Sequence, residues 1–233
     1  ALGVLESCFK EKFGTPRQPQ LAPSSRARLR VKAEFIPAQS LKGLADFSHV
    51  WLLSYFHLNT NKIFLSTVHQ PRLRGKTVGV FASRSPHRPS PIGLSLARLL
   101  SVESDTLHLS EVDLVDGTPI LDLKPYIPAY DCLPQASGGW TESADARELA
   151  VEFSPLALGE VRRLERAGAT LLERLIKEVL RQDLRNPRDR SQMKEGKPLE
   201  VFVYDFDVRY EVRGGVARVT EVLSYSKLAK QAK

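Results

Sequence analysis

Two hydrophobic periods divide this chain. From Leu2 to about Tyr130, apolar residues come in short runs that alternate with polar ones and stop at Gly, Pro, Asn or Asp; beyond Glu148 they recur every three to four residues. The first pattern suits strands, whose side chains point to opposite faces in turn, and the second suits a helix. Strand-like runs are Arg28 to Phe35, with Leu29, Val31, Ala33 and Phe35 on one face, then Val50 to Leu58, Thr77 to Ala82, Leu94 to Val102, Thr106 to Val115 and Ile120 to Lys124. Glu103-Ser104-Asp105 and Asp116-Gly117-Thr118-Pro119 supply turns, and a turn of helix is expected at Leu41 to Leu44. So many short strands predict a β-barrel or sandwich rather than a doubly wound sheet. No G-x-G-x-x-G occurs, which argues against a Rossmann-type cofactor site.

Pro134 to Glu148 is poor in branched apolar residues and reads as a linker between residues 1–138 and a second unit, 149–233. In that unit Ser154-Pro155 marks a helix start, and Leu158, Val161 and Leu164 form its stripe. Thr170-Leu171-Leu172-Glu173 matches a capping box, followed by Leu175, Ile176, Val179 and Leu180 up to the stop at Asn186-Pro187. Phe202, Tyr204, Phe206, Val208, Tyr210 and Val212 alternate strictly, and Gly214-Gly215 turns the chain into Val216 to Val222. A small α+β unit is expected.

The 233 residues carry a formal net charge of +7, which fits an acidic partner such as RNA and fits a merely solvated basic surface as well. Cys8 and Cys132 stand alone, and the five histidines, at 49, 57, 69, 87 and 108, lack zinc-motif spacing, so no metal is expected. The absence of a long apolar run or a secretory leader pattern predicts a cytoplasmic protein with no membrane partner. Ser83 and Ser85 lie outside any G-x-S-x-G, which disfavours a hydrolase.

Three segments combine charge with Gly or Pro beyond what packing requires. Phe13 to Pro19, FGTPRQP, sets Arg17 and Gln18 between prolines, which lower the entropy lost when a loop is fixed. Gly79 to Gly93, GVFASRSPHRPSPIG, ends a strand in a proline-braced elbow carrying Arg84 and Arg88, planar forks suited to carboxylate or phosphate. Asp116 to Tyr126, DGTPILDLKPY, would set Asp122, Lys124 and Tyr126 on one strand face. Ordinary turns and surface ion pairs explain each segment taken alone.

The succession FGTPRQP, FSHVWLLSYFH, VGVFASRSPHRPSPIGLS and DLVDGTPILDLKPYIP resembles the TsaA/TrmO/YaeB-like family of tRNA methyltransferases, and VLRQDLRNP and VYDFDVRYEV extend the likeness to that family's carboxy-terminal domain. The resemblance implies a mainly β protein: an antiparallel β-barrel catalytic domain with a small α+β carboxy-terminal domain. It further implies S-adenosyl-L-methionine as cofactor, a homodimer with the active site near the interface, and methylation of N6 of N6-threonylcarbamoyladenosine beside the anticodon of threonine tRNA. The family's cofactor contacts fall on Pro16, Arg17, Gln18, His57, Leu58, Arg84, Leu94, Asp122, Leu123, Lys124 and Pro125. Leu58 stands where the family has Gln, so only a backbone contact is expected there.

Within that frame Asp122 is expected to orient the cofactor, Lys124 to stabilise anionic charge and Tyr126 to line the pocket. Arg72, Arg74, Lys76 and Arg88, with Arg181, Arg185, Arg188 and Arg190, would track tRNA phosphates. The competing expectation is a non-catalytic RNA-binding barrel, which accounts for the charge and the strands equally well.

Overall fold

The structure is a computed structural model and describes residues 1–224 except 33, 35, 61–62, 64, 74–75, 145–147 and 186–194. Six strands close an antiparallel barrel: β1 (Gly3–Ser7), β2 (Arg26–Val31), β3 (His49–Tyr55), β6 (Ile92–Glu103), β7 (Thr106–Ser110) and β8 (Thr118–Pro125). Around the wall the order is β1-β2-β7-β6-β3-β8, and β8 returns to pair with β1. Between β3 and β6, β4 (Thr67–His69) and β5 (Thr77–Gly79) form a separate two-stranded ribbon.

Strand alternation decides what fills the barrel. Leu5, Leu29, Val50, Leu52, Ala97, Leu107, Leu109 and Ile120 point inward and are fully buried. β2 stops at Val31, so the expected strand to Phe35 is shorter; its last apolar positions, Ala33 and Phe35, lie outside the described residues. The expected strand from Thr77 to Ala82 is corrected more sharply. Only Thr77–Gly79 pairs, Val80–Ala82 is a 3-10 turn, and Phe81 is 75% exposed. A short apolar run does not distinguish a paired strand from a turn that tucks in one residue, here Val80.

After α1 (Pro128–Asp131) the chain enters a second sheet, built from β9 (Ala150–Phe153), β10 (Leu199–Val203), β11 (Phe206–Arg213) and β12 (Val216–Ser224). Its order is β10-β11-β12-β9, and β9 runs parallel to β12. α2 (Pro155–Arg166) and α3 (Leu172–Arg181) contribute Val161, Leu172, Leu175, Ile176 and Val179 to the buried core. Ser154 caps α2 as its sequence suggests, its Oγ accepting from Ala157 N at 3.1 Å. The capping box at Thr170 does not form. Leu171 takes a left-handed φ of 54° and α3 is instead met by α2, Glu165 Oε1 accepting from Glu173 N at 3.0 Å.

The long alternation from Phe202 to Val212 also divides. Tyr204 and Asp205 form a turn, with Tyr204 at φ 52°, so what reads as one strand is β10 turning into β11. The two sheets meet through polar anchors. Glu178 of α3 accepts from both the backbone N and the Oγ of Ser24 at 2.8 Å, and Tyr204 N donates to Cys8 O at 2.7 Å. No helix among the described residues is long and apolar enough to cross a membrane.

Candidate cofactor and RNA site

The loop before β2 presents its arginine by burying the prolines around it. Pro16 and Pro19 are buried, Gln18 is half-buried, and Arg17 is exposed between them. Gly14 makes the approach possible: it sits at φ +89°, where a side chain would be strained, and a Cβ there would run into Val201 Cγ2. From the cap just past α3, Gln182 Oε1 accepts from Arg17 N at 3.4 Å.

The second loop is braced by its own side chains. Ser83 Oγ donates to Val80 O at 2.9 Å, Ser85 N donates to Ser83 Oγ, and His87 N donates to Ser85 Oγ. Arg88 turns back into the loop, its Nη1 donating to Ser83 O at 3.2 Å and Ser85 O at 3.3 Å. Arg84 faces outward to the first loop, and its Nη1 donates to Gln18 Oε1 at 2.6 Å. The turn after β3 joins them: Asn59 Nδ2 donates to Pro86 O at 2.7 Å, and Lys12 Nζ donates to Leu58 O. Leu58 therefore offers its carbonyl to Lys12, and the half-buried His57 lies beside Gly117, its Nε2 3.9 Å from where a Cβ on that glycine would stand.

Leu94, Asp122 and Lys124 belong to another surface. On the outer face of the barrel, pairing sets Leu94 opposite Leu53 and Leu53 opposite Asp122; the next row holds Leu96, Trp51 and Lys124. Lys124 Nζ lies 2.9 Å from Asp122 Oδ2, and Leu123 N donates to Asp122 Oδ1 at 2.9 Å. The hydrogen bond from Lys124 holds the Asp122 carboxyl below the usual carboxylate range. Tyr126 packs edge-on against Trp51 and His49, with ring centres 5.9 and 6.3 Å away, and desolvation, with Cys132 and Asp131 adding, keeps its phenol above the ordinary value.

The residues expected from sequence at the site thus fall into two groups within one chain. Arg17, Gln18, Arg84 and the turn at His57 and Leu58 form the first; Leu94 with Asp122, Leu123, Lys124 and Pro125 forms the second. Among the described residues no hydrogen bond or ion pair links them. Around the second group the barrel wall is apolar and bare: Leu94 is 55% exposed, Ile92 48% and Tyr55 44%.

The basic residues differ in what they offer a phosphate. Arg72 and Lys76 are exposed by the two-stranded ribbon. Arg185 is clamped by both oxygens of Asp183 at 2.8 and 2.9 Å, which raises its pKa further, and Arg181 pairs with Glu148 at 2.9 Å. Arg74, Arg188 and Arg190 lie outside the described residues.

One group was not singled out from sequence. Asp113, on the connection from β7 to β8, accepts from Ser95 Oγ at 2.6 Å; burial pushes its carboxyl up to about 6, against the Ser95 hydrogen bond and the charge of Arg84. No local spacing joins positions 84, 95 and 113; only the barrel does.

Residues 4–132 match the family model of the tRNA-methyltransferase O N-terminal domain, and residues 146–224 match that of the TrmO C-terminal domain. The chain is 43% identical over 216 residues to the tRNA (adenine(37)-N6)-methyltransferase of Escherichia coli K12, with 91% of each chain covered. It is 40% identical over 224 residues to a Pseudomonas aeruginosa protein provisionally named as an S-adenosylmethionine-dependent methyltransferase, with 95% of each covered. The crystal structure of TrmO from Pseudomonas aeruginosa superposes with a TM-score of 0.80 at 37% identity, over 96% of each chain.

Proposed function

The chain belongs to the tRNA-methyltransferase O family, and on that premise we propose that it is an S-adenosyl-L-methionine-dependent methyltransferase acting on N6 of adenine 37 in tRNA, the position in the name of its E. coli relative. The substrate within this reading is N6-threonylcarbamoyladenosine in threonine tRNA. The observation that carries it is the 43% identity to the E. coli enzyme, sustained along 91% of both chains. The barrel unit, residues 1–138, holds the transfer site, and the described residues from Leu149 to Ser224 brace it.

The residues present suit the cofactor's chemistry. Its carboxylate matches Arg84 and Arg17, its ammonium and sulfonium charges match Asp122, and its flat purine matches exposed apolar surface such as that of Leu94. Bound there, it supplies a methyl group already activated on a sulfonium. What remains for the protein is to orient the two reactants and exclude water. Prolines 16, 19, 86 and 89 hold the arginines ready, so little ordering cost falls on binding.

A second copy of the chain completes the site. The bare apolar wall of β3, β6 and β8 supports a homodimer, since contiguous exposed apolar surface is rarely left open on a monomer. In such a dimer one protomer's Arg84 and Gln18 meet its partner's copy of the Asp122 to Pro125 segment, which answers the separation of the two groups within one chain. Arg72 and Lys76 border the site as the phosphate contacts, with Arg88 and Arg185 shaping loops behind them.

The test is methyl transfer from labelled S-adenosyl-L-methionine to threonine tRNA with and without the threonylcarbamoyl group. Transfer to the carbamoylated tRNA alone is expected. Tight tRNA binding with no transfer to either would leave an RNA-binding barrel in place of an enzyme.

A further inference from the structure

Both loops that carry the site arginines are fastened from outside the barrel. Trp140 lies on a 3-10 turn of the linker, Gly139–Ser143, and its Nε1 donates to Ala82 O at 2.7 Å. Ala82 ends the turn Val80–Ala82, two residues before Arg84. On the other loop Arg17 N donates to Gln182 Oε1 at 3.4 Å, a longer and weaker contact. Gln182 Nε2 donates to Glu178 O at 3.1 Å, which leaves the amide oxygen for Arg17.

The two fastenings are themselves joined. Arg181, the last residue of α3 and the neighbour of Gln182, holds the far end of the linker: its Nε lies 2.9 Å from Glu148 Oε2, and its carbonyl accepts from Leu149 N at 3.0 Å. A circuit therefore runs from the first loop through the end of α3 and the linker to the second loop. It closes where Arg84 Nη1 meets Gln18 Oε1 at 2.6 Å. Around Trp140 the linker is braced locally, Thr141 Oγ1 donating to Gly138 O at 2.7 Å and Ser143 Oγ to Trp140 O at 3.3 Å.

What this arrangement fixes is the approach to Arg84. Upstream, Ser83 N and Ser83 Oγ both donate to Val80 O, at 3.2 and 2.9 Å, and Trp140 pins Ala82 between them. Downstream, Pro86 and Pro89 restrict the backbone. Little beyond the arginine's own side chain is left to order when an anion binds.

We propose that Trp140 is a positioning residue for the cofactor's carboxylate, acting through Arg84, and that Gln182 acts likewise on Arg17, so that the linker and the end of α3 set how tightly the barrel holds S-adenosyl-L-methionine; the proposal rests on the methyltransferase reading above. Neither side chain is itself a cofactor contact. Each removes motion from an arginine that is, so its loss weakens binding and leaves the transfer step intact once the site is filled.

The experiment is calorimetric titration of the full chain with S-adenosyl-L-methionine, alongside single-turnover transfer to threonylcarbamoylated tRNA at saturating cofactor. Trp140→Phe keeps an aromatic ring and deletes the donor. It is expected to weaken cofactor binding about two- to tenfold, the span of one hydrogen bond, with a saturated rate within about twofold of wild type. Gln182→Ala, at the longer contact, should cost about twofold. The decisive arm is the cycle with Arg84→Ala: in that background Trp140→Phe should change affinity no further, because the residue it acts through is gone. An equal loss in both backgrounds, a saturated rate that falls as far as the affinity, or wild-type affinity in Trp140→Phe, whatever its melting temperature, would each overturn the proposal. A wild-type chain that binds no cofactor would instead remove the methyltransferase reading, and this role with it.

Discussion

Arg84 Nη1 donates to Gln18 Oε1 at 2.6 Å, joining two loops 66 residues apart into one cation-bearing corner. Arg84→Ala is expected to weaken S-adenosyl-L-methionine binding at least about tenfold, because a charge-assisted contact to a carboxylate contributes about 1.5–3 kcal/mol. Gln18→Ala should cost less, about two- to fivefold, because the guanidinium remains but is no longer held. Calorimetry on both variants checks this, and unchanged affinity in the pair would remove the anion-binding role of the corner.

Asp113 also leaves a signature in stability. Its carboxyl is raised from 3.8 to about 6 in the fold, so the folded chain binds the extra proton between those values. Stability from that group is complete below about pH 4 and is lost as pH rises through about 6. Asp113→Asn removes the loss and should stabilise the protein at pH 7 by about 2–3 kcal/mol, with little gain at pH 4. Urea unfolding at the two pH values gives the comparison, and an equal effect at both would contradict the raised pKa.

The bare outer wall makes an assembly prediction. Ile92 and Tyr55 face one another across β6 and β3 and lie outside the proposed cofactor contacts. Ile92→Asp is expected to convert a dimer to a monomer in sedimentation velocity and to lower turnover in proportion. A wild-type protein sedimenting as a monomer at micromolar concentration would remove the second copy from the site.

Glu178 accepts from the N and the Oγ of the buried Ser24 at 2.8 Å each. Glu178→Ala should destabilise the protein by about 1–3 kcal/mol, since it strands two buried donors. Gly14→Ala should act in the same direction, through a strained φ and the collision with Val201. Chemical denaturation midpoints test both, and midpoints equal to wild type would show that the two sheets do not depend on this seam.

The sequence made local structure plain wherever local chemistry decides it. Ser154 caps α2, the stripe of α3 is buried, and the barrel strands follow from alternation, with Leu29, Val50, Leu52 and Ile120 inside. It misled where one residue breaks a pattern without changing residue type. Tyr204 takes a positive φ inside an unbroken alternation, and Leu171 does the same at the start of α3, so neither the β10–β11 turn nor the missing capping box has a glycine to announce it. The presentation of Arg17 between buried prolines was legible, because prolines mark presented loops. Asp113 was not, because its partners come from strands and loops that only barrel closure brings together. Similarly, nothing local in the sequence announces the acceptors that Arg88 and Arg185 hold within the chain.

The parallel pairing of β9 with β12 sets where this chain can be cut. β9 precedes both helices yet lies along the last strand of the sheet, with Ala150 opposite Val216 and Phe153 opposite Val219. A fragment begun at Pro155 would keep α2 and α3 but bare one flank of β12, an open strand edge that recruits other chains. Excised pieces of the carboxy-terminal unit should therefore stay soluble when they start ahead of Leu149 and clump when they start at the helix.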